Sequence, residues 1–203
     1  MSGFIEEVIG IWTAGGSLMI PLAILGVLIY YTLYEILVYL NANNFYDSDP
    51  DLWGHWIDSP SEATGPVGEI LQYAQHNVGT MQDVRDRLAE IRNVHMGRLN
   101  GRLVFASILI GTAPLTGLLG TVTGMLSTFG GLAVSSGGNT VDMVAGGISE
   151  ALITTQTGLV LAIPGYILLS IAKRKRSQMD AFYTQVEIMT LKRVERRGGS
   201  ALI

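Results

Sequence analysis

Residues 144–171 read VAGGISEALITTQTGLVLAIPGYILLSI. The stretch is long enough to cross a bilayer, which takes about 20 mostly apolar residues in a helix. It holds no Lys or Arg and a single carboxylate, Glu150. Placing a carboxylate inside a span costs roughly 2.5–3.5 kcal/mol on insertion scales. Something must offset that cost, and the reading of the chain turns on what Glu150 faces.

Composition points the same way. Of the 203 residues, 48% are hydrophobic and only 15% charged, against about 25% charged in soluble domains. Twenty-five glycines without collagen periodicity fit membrane spans, where Gly is common. The absence of Cys excludes a disulfide framework and a thiolate metal site. A net charge of −4 disfavours a nucleic-acid partner, whose phosphates need Lys and Arg. The first 16 residues lack a basic n-region, and the apolar run after them is too long for an h-region. A retained span is therefore expected rather than a cleaved signal.

Outward from the central stretch, the chain divides by material. Residues 1–16 place Phe4, Ile5, Val8, Ile9 and Trp12 at helical spacing, with Glu6 and Glu7 on another face. This pattern predicts a short helix lying in the membrane interface, ended by Gly15 and Gly16. Residues 17–40 are the first expected span, with Pro21 near its start, where a missing N–H does least harm. Glu35, near the other end, reads as a local structural residue within reach of the interface.

Residues 41–102 carry nine acids, five arginines and all three histidines. Asn41 to Pro60 is loop-like, with acids among Tyr46, Trp53 and Trp56. Val67, Ile70, Leu71 and Ala74 predict a short amphipathic helix. Val84, Leu88, Ile91 and Leu99 continue helical spacing into the second span, 103–129, with no breaker but Gly97 and Gly101. Residues 130–143 read as a Gly/Ser-rich turn. The third span, 144–172, stops at Lys173, Arg174, Lys175 and Arg176, a run that reads as a stop-transfer anchor at an anionic leaflet. Met179, Phe182, Val186, Met189 and Val194 carry helical spacing on through 173–203. The expectation is an all-α membrane protein with three transmembrane helices, two of which run on into solvent.

Orientation follows from the basic residues. Five of the 13 Lys and Arg lie in residues 41–102 and the other eight in 172–203, with none in the N-terminal segment or the 130–143 turn. The positive-inside rule then makes the topology N-out, C-in. Spans two and three are antiparallel neighbours. Counted inward from their turn, Thr121 is about eight residues deep and Glu150 about seven, so at 1.5 Å per residue both lie roughly 10–12 Å below it.

Small residues line both spans. Gly117, Thr121, Gly124 and Thr128 form one stripe, and Gly120 with Gly124 a GxxxG pair. Gly147, Ala151, Thr155, Gly158 and Ala162 form another, with Glu150, Thr154 and Thr157 beside it. Such stripes permit close helix contact, which is the reading of the glycines. Glu150 reads as functional, because intramembrane carboxyls mark ion and proton paths. Removal from water favours the neutral form of a carboxylic acid, so such a group can take up and release a proton. Threonine hydroxyls nearby both donate and accept. One chain offers too few spans to enclose a polar path and no Lys, Arg or His inside them to pair with Glu150. A ring-forming homo-oligomer is therefore inferred, with the carboxyls facing a central space. Enzyme chemistry is not expected: His55, His76 and His95 lack metal-ligand spacing, and no cofactor motif is present.

Three stretches carry a resemblance. TAGGSLMIPLAILGVLIYYTLYEILVYL (13–40), TAPLTGLLGTVTGMLSTF (112–129) and ISEALITTQTGLVLAIPGY (148–166) are similar to signatures of the MotA/TolQ/ExbB proton-channel family. The resemblance implies a pentamer of long helices in a bacterial inner membrane. It also implies two copies of a single-span partner, ExbD or TolR, in the pore, and proton flow that drives motion passed to TonB or TolA. In the family alignment the pore glutamate falls on Glu150 and the pore threonines on Thr121 and Thr155. Helical counting instead puts Thr154 on the Glu150 face, with Thr155 about 140° away. The family often has Glu-Arg late in its first span; here Glu35 is followed by Ile36. The sequence leaves ExbB-like and TolQ-like pathways both open. A structural membrane scaffold without ion flux and a small-solute transporter are the rivals from other classes, and the latter lacks the expected repeat halves. A proton is favoured over Na⁺ because the one deep acid has no evident co-ligands.

Overall fold

The computed structural model describes residues 9–42, 55–56, 65–75, 81–134 and 140–200. The expectations for Phe4, Ile5, Glu6, Glu7, Val8, Tyr46, Trp53 and His76, and for the side chains of Val67 and Val194, lie outside them. Among the described residues the secondary structure is all helical. The principal helices are α1 (Met19–Ala42), α2 (Gly65–Gln75), α3 (Met81–Val134) and α4 (Thr140–Ser200).

Three of them, α1, α3 and α4, are long and apolar enough to cross a membrane. At 1.5 Å per residue, helices of 54 and 61 residues are about 80–90 Å long. A bilayer core takes up about 30 Å. Both helices must therefore run well beyond it. Pro114 lies inside α3 and Pro164 inside α4. In a membrane helix such prolines are tolerated because neighbouring helices and hydroxyls re-satisfy the freed carbonyls. The expected turn over 130–143 is shorter, since α3 reaches Val134 and α4 begins at Thr140. The helix runs on through Gly130 and Gly131, at an entropic cost of about 0.5–1 kcal/mol for each glycine. Asp142 sits in the first turn of α4, where the helix dipole favours a negative charge.

The chain forms two compact units. The first contains residues up to Tyr34 and Val104–Ser170. Here α1 runs parallel to α4: Gly26 lies under Leu161, Gly165 faces Ile29, and the Tyr30 hydroxyl donates to the Leu161 carbonyl at 3.2 Å. Leu22, Ile29 and Leu33 are fully buried. The outer surface is apolar, with Val27 70%, Leu115 66% and Leu152 63% exposed. So much exposed aliphatic surface would be anomalous on a water-soluble monomer and suits lipid or neighbouring helices.

The second unit contains Glu35–Leu103 and the chain from Ile171. Its core is Ile36, Leu40, Ile70, Leu71, Ala74, Val84, Leu88, Leu99, Met179, Phe182 and Val186. Ile70, Leu71 and Ala74 of the α2 pattern, and Val84, Leu88 and Leu99 of the α3 pattern, thus lie on the buried face. Polar groups bridge the helices. Arg92 donates through Nε and Nη2 to Asp180 Oδ1 at 3.0 and 2.8 Å. Lys175 donates to Asn41 Oδ1 at 3.2 Å. The Tyr39 hydroxyl and His95 Nδ1 are 2.8 Å apart, and the His95 ring stacks on Tyr183. Burial pushes the Tyr183 phenol far above its usual range, and the neighbouring Tyr39 adds to the effect.

Two predictions follow from this packing. A Cβ at Gly97 or Gly101 would meet open space, whereas one at Gly117 would meet the Thr154 carbonyl at 2.9 Å. Gly97→Ala and Gly101→Ala should each raise stability by about 0.5–1 kcal/mol through helix propensity. Gly117→Val should cost about 1–3 kcal/mol by overpacking. Thermal unfolding of the purified protein in detergent checks both signs. The folded-state phenol of Tyr183 titrates above its unfolded value of about 10, so its stability contribution is complete below that pH and is lost as pH rises beyond it. Tyr183→Phe should therefore flatten the alkaline fall in stability, measured by denaturant melts from about pH 9 to about pH 11.

Candidate functional site

Within the first unit, α3 and α4 meet backbone to backbone along a seam of small residues. From α3 come Ala113, Gly117, Gly120, Gly124 and Thr128, and from α4 Gly147, Ala151, Thr154, Gly158 and Ala162. An added Cβ shows how close they lie. At Gly158 it would stand 2.6 Å from the Ala113 carbonyl oxygen, at Gly124 3.2 Å from the Ala151 Cβ, and at Gly120 2.6 Å from the Thr154 Cβ. At Gly147 it would strike the Thr128 hydroxyl. The five glycines singled out for packing, Gly117, Gly120, Gly124, Gly147 and Gly158, are thus all in the seam.

The structure sorts the threonines. Thr154 is buried against Gly120, and its hydroxyl donates back to the Ala151 carbonyl at 2.9 Å. Thr155 reaches across the seam and donates to the Gly117 carbonyl at 3.0 Å. Thr121 lies beside the seam, half-buried, with its hydroxyl on the Leu118 carbonyl at 2.7 Å. Thr157 donates to the Ile153 carbonyl at 2.8 Å. The pairing of Gly120 with Thr154 and Gly124 with Ala151 fixes the antiparallel register. It sets Thr121 and Glu150 within roughly one turn of each other along the axis.

Glu150 lies on the other flank of α4. Its side chain rests against Gly16, at the turn that leads into α1. It is half-buried and makes no hydrogen bond or ion pair with the described residues. Sequence reading did not find the Gly16 contact, which depends on how α1 packs on α4. Nor did it find a partner for Glu35. The residue after it is Ile36, yet Arg102 of α3 approaches to 2.9 Å, so the ion pair forms between helices instead of along the chain. Of the described histidines, His95 takes part in the core contacts of the second unit and His55 is exposed.

Three helices able to cross a membrane, two of them joined by a small-residue seam, define a multi-pass membrane protein, and beside the seam lies an acid with which no described residue pairs. The profile of the MotA/TolQ/ExbB proton channel family matches residues 63–185, more than half of the chain, and the chain belongs to that family. Two similar proteins come from Helicobacter pylori, strains 26695 and J99, each described as biopolymer transport protein ExbB-like 1. Each is 39% identical over 92 residues, 45% of this chain and 48% of the relative. The chain spans about half the length of the curated relatives it matches.

The seam makes a specific energetic claim about adjacent threonines. Thr155→Val removes a hydrogen bond between helices and should cost about 0.5–1.5 kcal/mol. Thr154→Val removes only a bond within its own helix and should cost less. Paired thermal melts in detergent test the order, and a reversed order would contradict the seam as drawn.

Proposed function

We propose that the chain is the ring-forming, proton-conducting subunit of an ExbB-type motor in a bacterial inner membrane. In this reading it lies N-out, C-in and forms a homopentamer around a single-span partner of the ExbD kind. It uses the proton motive force to energise outer-membrane transport through a TonB-like protein. Family membership supports a proton channel, and the names of the Helicobacter relatives favour the ExbB pathway over a TolQ-like one with TolR- and TolA-like partners.

The observation that carries the reading is Glu150. It is the one carboxyl within the third span, it falls on the glutamate of the family signature, and no described residue pairs with it. A structural acid would be held by donors, since an unsatisfied buried polar group costs about 1–3 kcal/mol. An acid without a fixed partner inside the spans is free to exchange a proton with a partner's carboxyl. Each protonation then changes the charge in the pore and favours a new position of the partner. Thr121 and Thr155 would line the same path, with Thr154 as the alternative on α4.

The test is Glu150→Gln in the native host, which should reduce proton-driven transport to the level of a deletion while the oligomer still assembles. Full transport in that strain would refute the proposal and favour the scaffold. Affinity purification from native membranes with mass spectrometry separates the pathways. A TonB-like protein beside a small single-span partner supports the ExbB reading, and a TolA-like protein the other.

A further inference from the structure

We infer that the Gly15–Gly16 turn is a seat for the Glu150 carboxyl and that Gly16 is the residue that positions it. The inference rests on the reading of Glu150 as the proton-carrying group. Gly16 has φ +64°, a left-handed conformation that side chains with a Cβ disfavour. That conformation alone has a local explanation. The Gly15 N–H still donates to the Ile11 carbonyl at 3.0 Å, and the Gly16 carbonyl already accepts from the Met19 N–H at 3.2 Å. Gly16 thus ends one helix and opens the next, as a glycine at a helix C-terminus commonly does.

Helix termination does not explain the second observation. A Cβ on Gly16 would coincide with Glu150 Oε1 and stand 2.6 Å from Cδ and 3.2 Å from Cγ. The carboxyl therefore occupies the space that any other residue would fill. Gly15 closes the same seat one turn further along α4, where its Cβ would meet Ile153 Cγ2 at 3.1 Å and the Met19 side chain at 2.5 Å. The turn is thus fitted to α4 at Glu150. Because Glu150 has no hydrogen bond or ion pair among the described residues, this steric contact is what fixes where its carboxyl sits. No donor among the described residues holds the carboxyl on the bare Cα, so it leaves the seat when it meets a charged or hydrogen-bonding partner.

Backbone and space can be separated by Gly16→Asn, since Asn tolerates left-handed φ better than other residues with a Cβ but fills the seat. The full chain, purified as its native complex and placed in liposomes, is measured in two ways. The first is the rate at which dicyclohexylcarbodiimide modifies residue 150, read by mass spectrometry, a reaction selective for protonated carboxyls in apolar surroundings. The second is the pH profile of proton flux. Gly16→Asn should change the labelling rate at least fivefold and displace the pH midpoint of flux, and adding Glu150→Asp, which draws the carboxyl back by one methylene, should bring both toward wild type. Gly10→Asn should change neither, because a Cβ there meets open space. Wild-type labelling and pH profile in the Gly16→Asn chain would overturn the inference. If that chain fails to assemble, Glu150→Asp alone decides: lifting the carboxyl off Gly16 should alter the labelling rate, and an unaltered rate overturns the seat. Labelling does not depend on flux, so wild-type flux in Glu150→Gln would defeat the proton-carrier reading without deciding the seat.

Discussion

The close approach of α3 and α4 is the constraint from which the rest follows. Between helices in lipid there is little hydrophobic drive, since the surroundings are as apolar as the side chains. Attraction must come from short contacts and from the occasional hydrogen bond. Gly117 against the backbone of Thr154 and Thr155, and Gly158 against the Ala113 carbonyl, supply the contacts, and Thr155 on the Gly117 carbonyl supplies the bond. Side chains larger than alanine or threonine would hold the helices apart and break both. That is why small residues recur every three or four positions over about four turns, while the outward faces of the same helices carry Leu, Ile, Val and Phe.

Once the seam is set, its geometry leaves Glu150 on the flank of α4 that faces the entry to α1. Parallel packing of α1 on α4 then brings the Gly15–Gly16 turn to it. The two faces of one helix thus divide the labour: Ala151, Thr154 and Gly158 hold α3, and Glu150 is left for a contact that is steric and not bonded. Beyond Tyr34 the character changes. Arg92 with Asp180, Arg102 with Glu35 and Lys175 with Asn41 are part-exposed interactions of the kind that contributes little individually. There the stability rests on the aliphatic and aromatic core around Leu71, Leu99 and Phe182.

Much of this was legible in the sequence because the signals are long. Runs of apolar residues give the spans, the 3.6-residue spacing of Val84, Leu88 and Leu99 gives the buried face, and the small stripes give the seam. What escaped depends on tertiary register. Glycines at 130 and 131 read as a turn, yet α3 runs through both to Val134. Glu35 lacked a neighbouring Arg in the chain, and its cation came from α3. Helical counting placed Thr154 with Glu150. It could not foresee that Thr154 would be taken up by Gly120 while Thr155, 100° further round, became the residue that bonds across. Gly16 looked like a helix stop, and nothing local to it announces what rests on its Cα.

The threonine hydroxyls of the first unit are already committed to carbonyls. Thr112, Thr116, Thr121, Thr123, Thr128, Thr154 and Thr157 each donate to a carbonyl three or four residues back in their own helix. This satisfies the donor where water is scarce and leaves only acceptor lone pairs facing outward. Such a hydroxyl cannot easily hand on a proton, because it would first have to give up its backbone bond. Thr155 is committed as well, across the seam. A group that takes up and releases a proton must instead be one whose partner is not fixed by the fold. Among the described residues of the first unit's helices below the α4 N-terminus, Glu150 is a carboxyl that the fold leaves without a bonded partner.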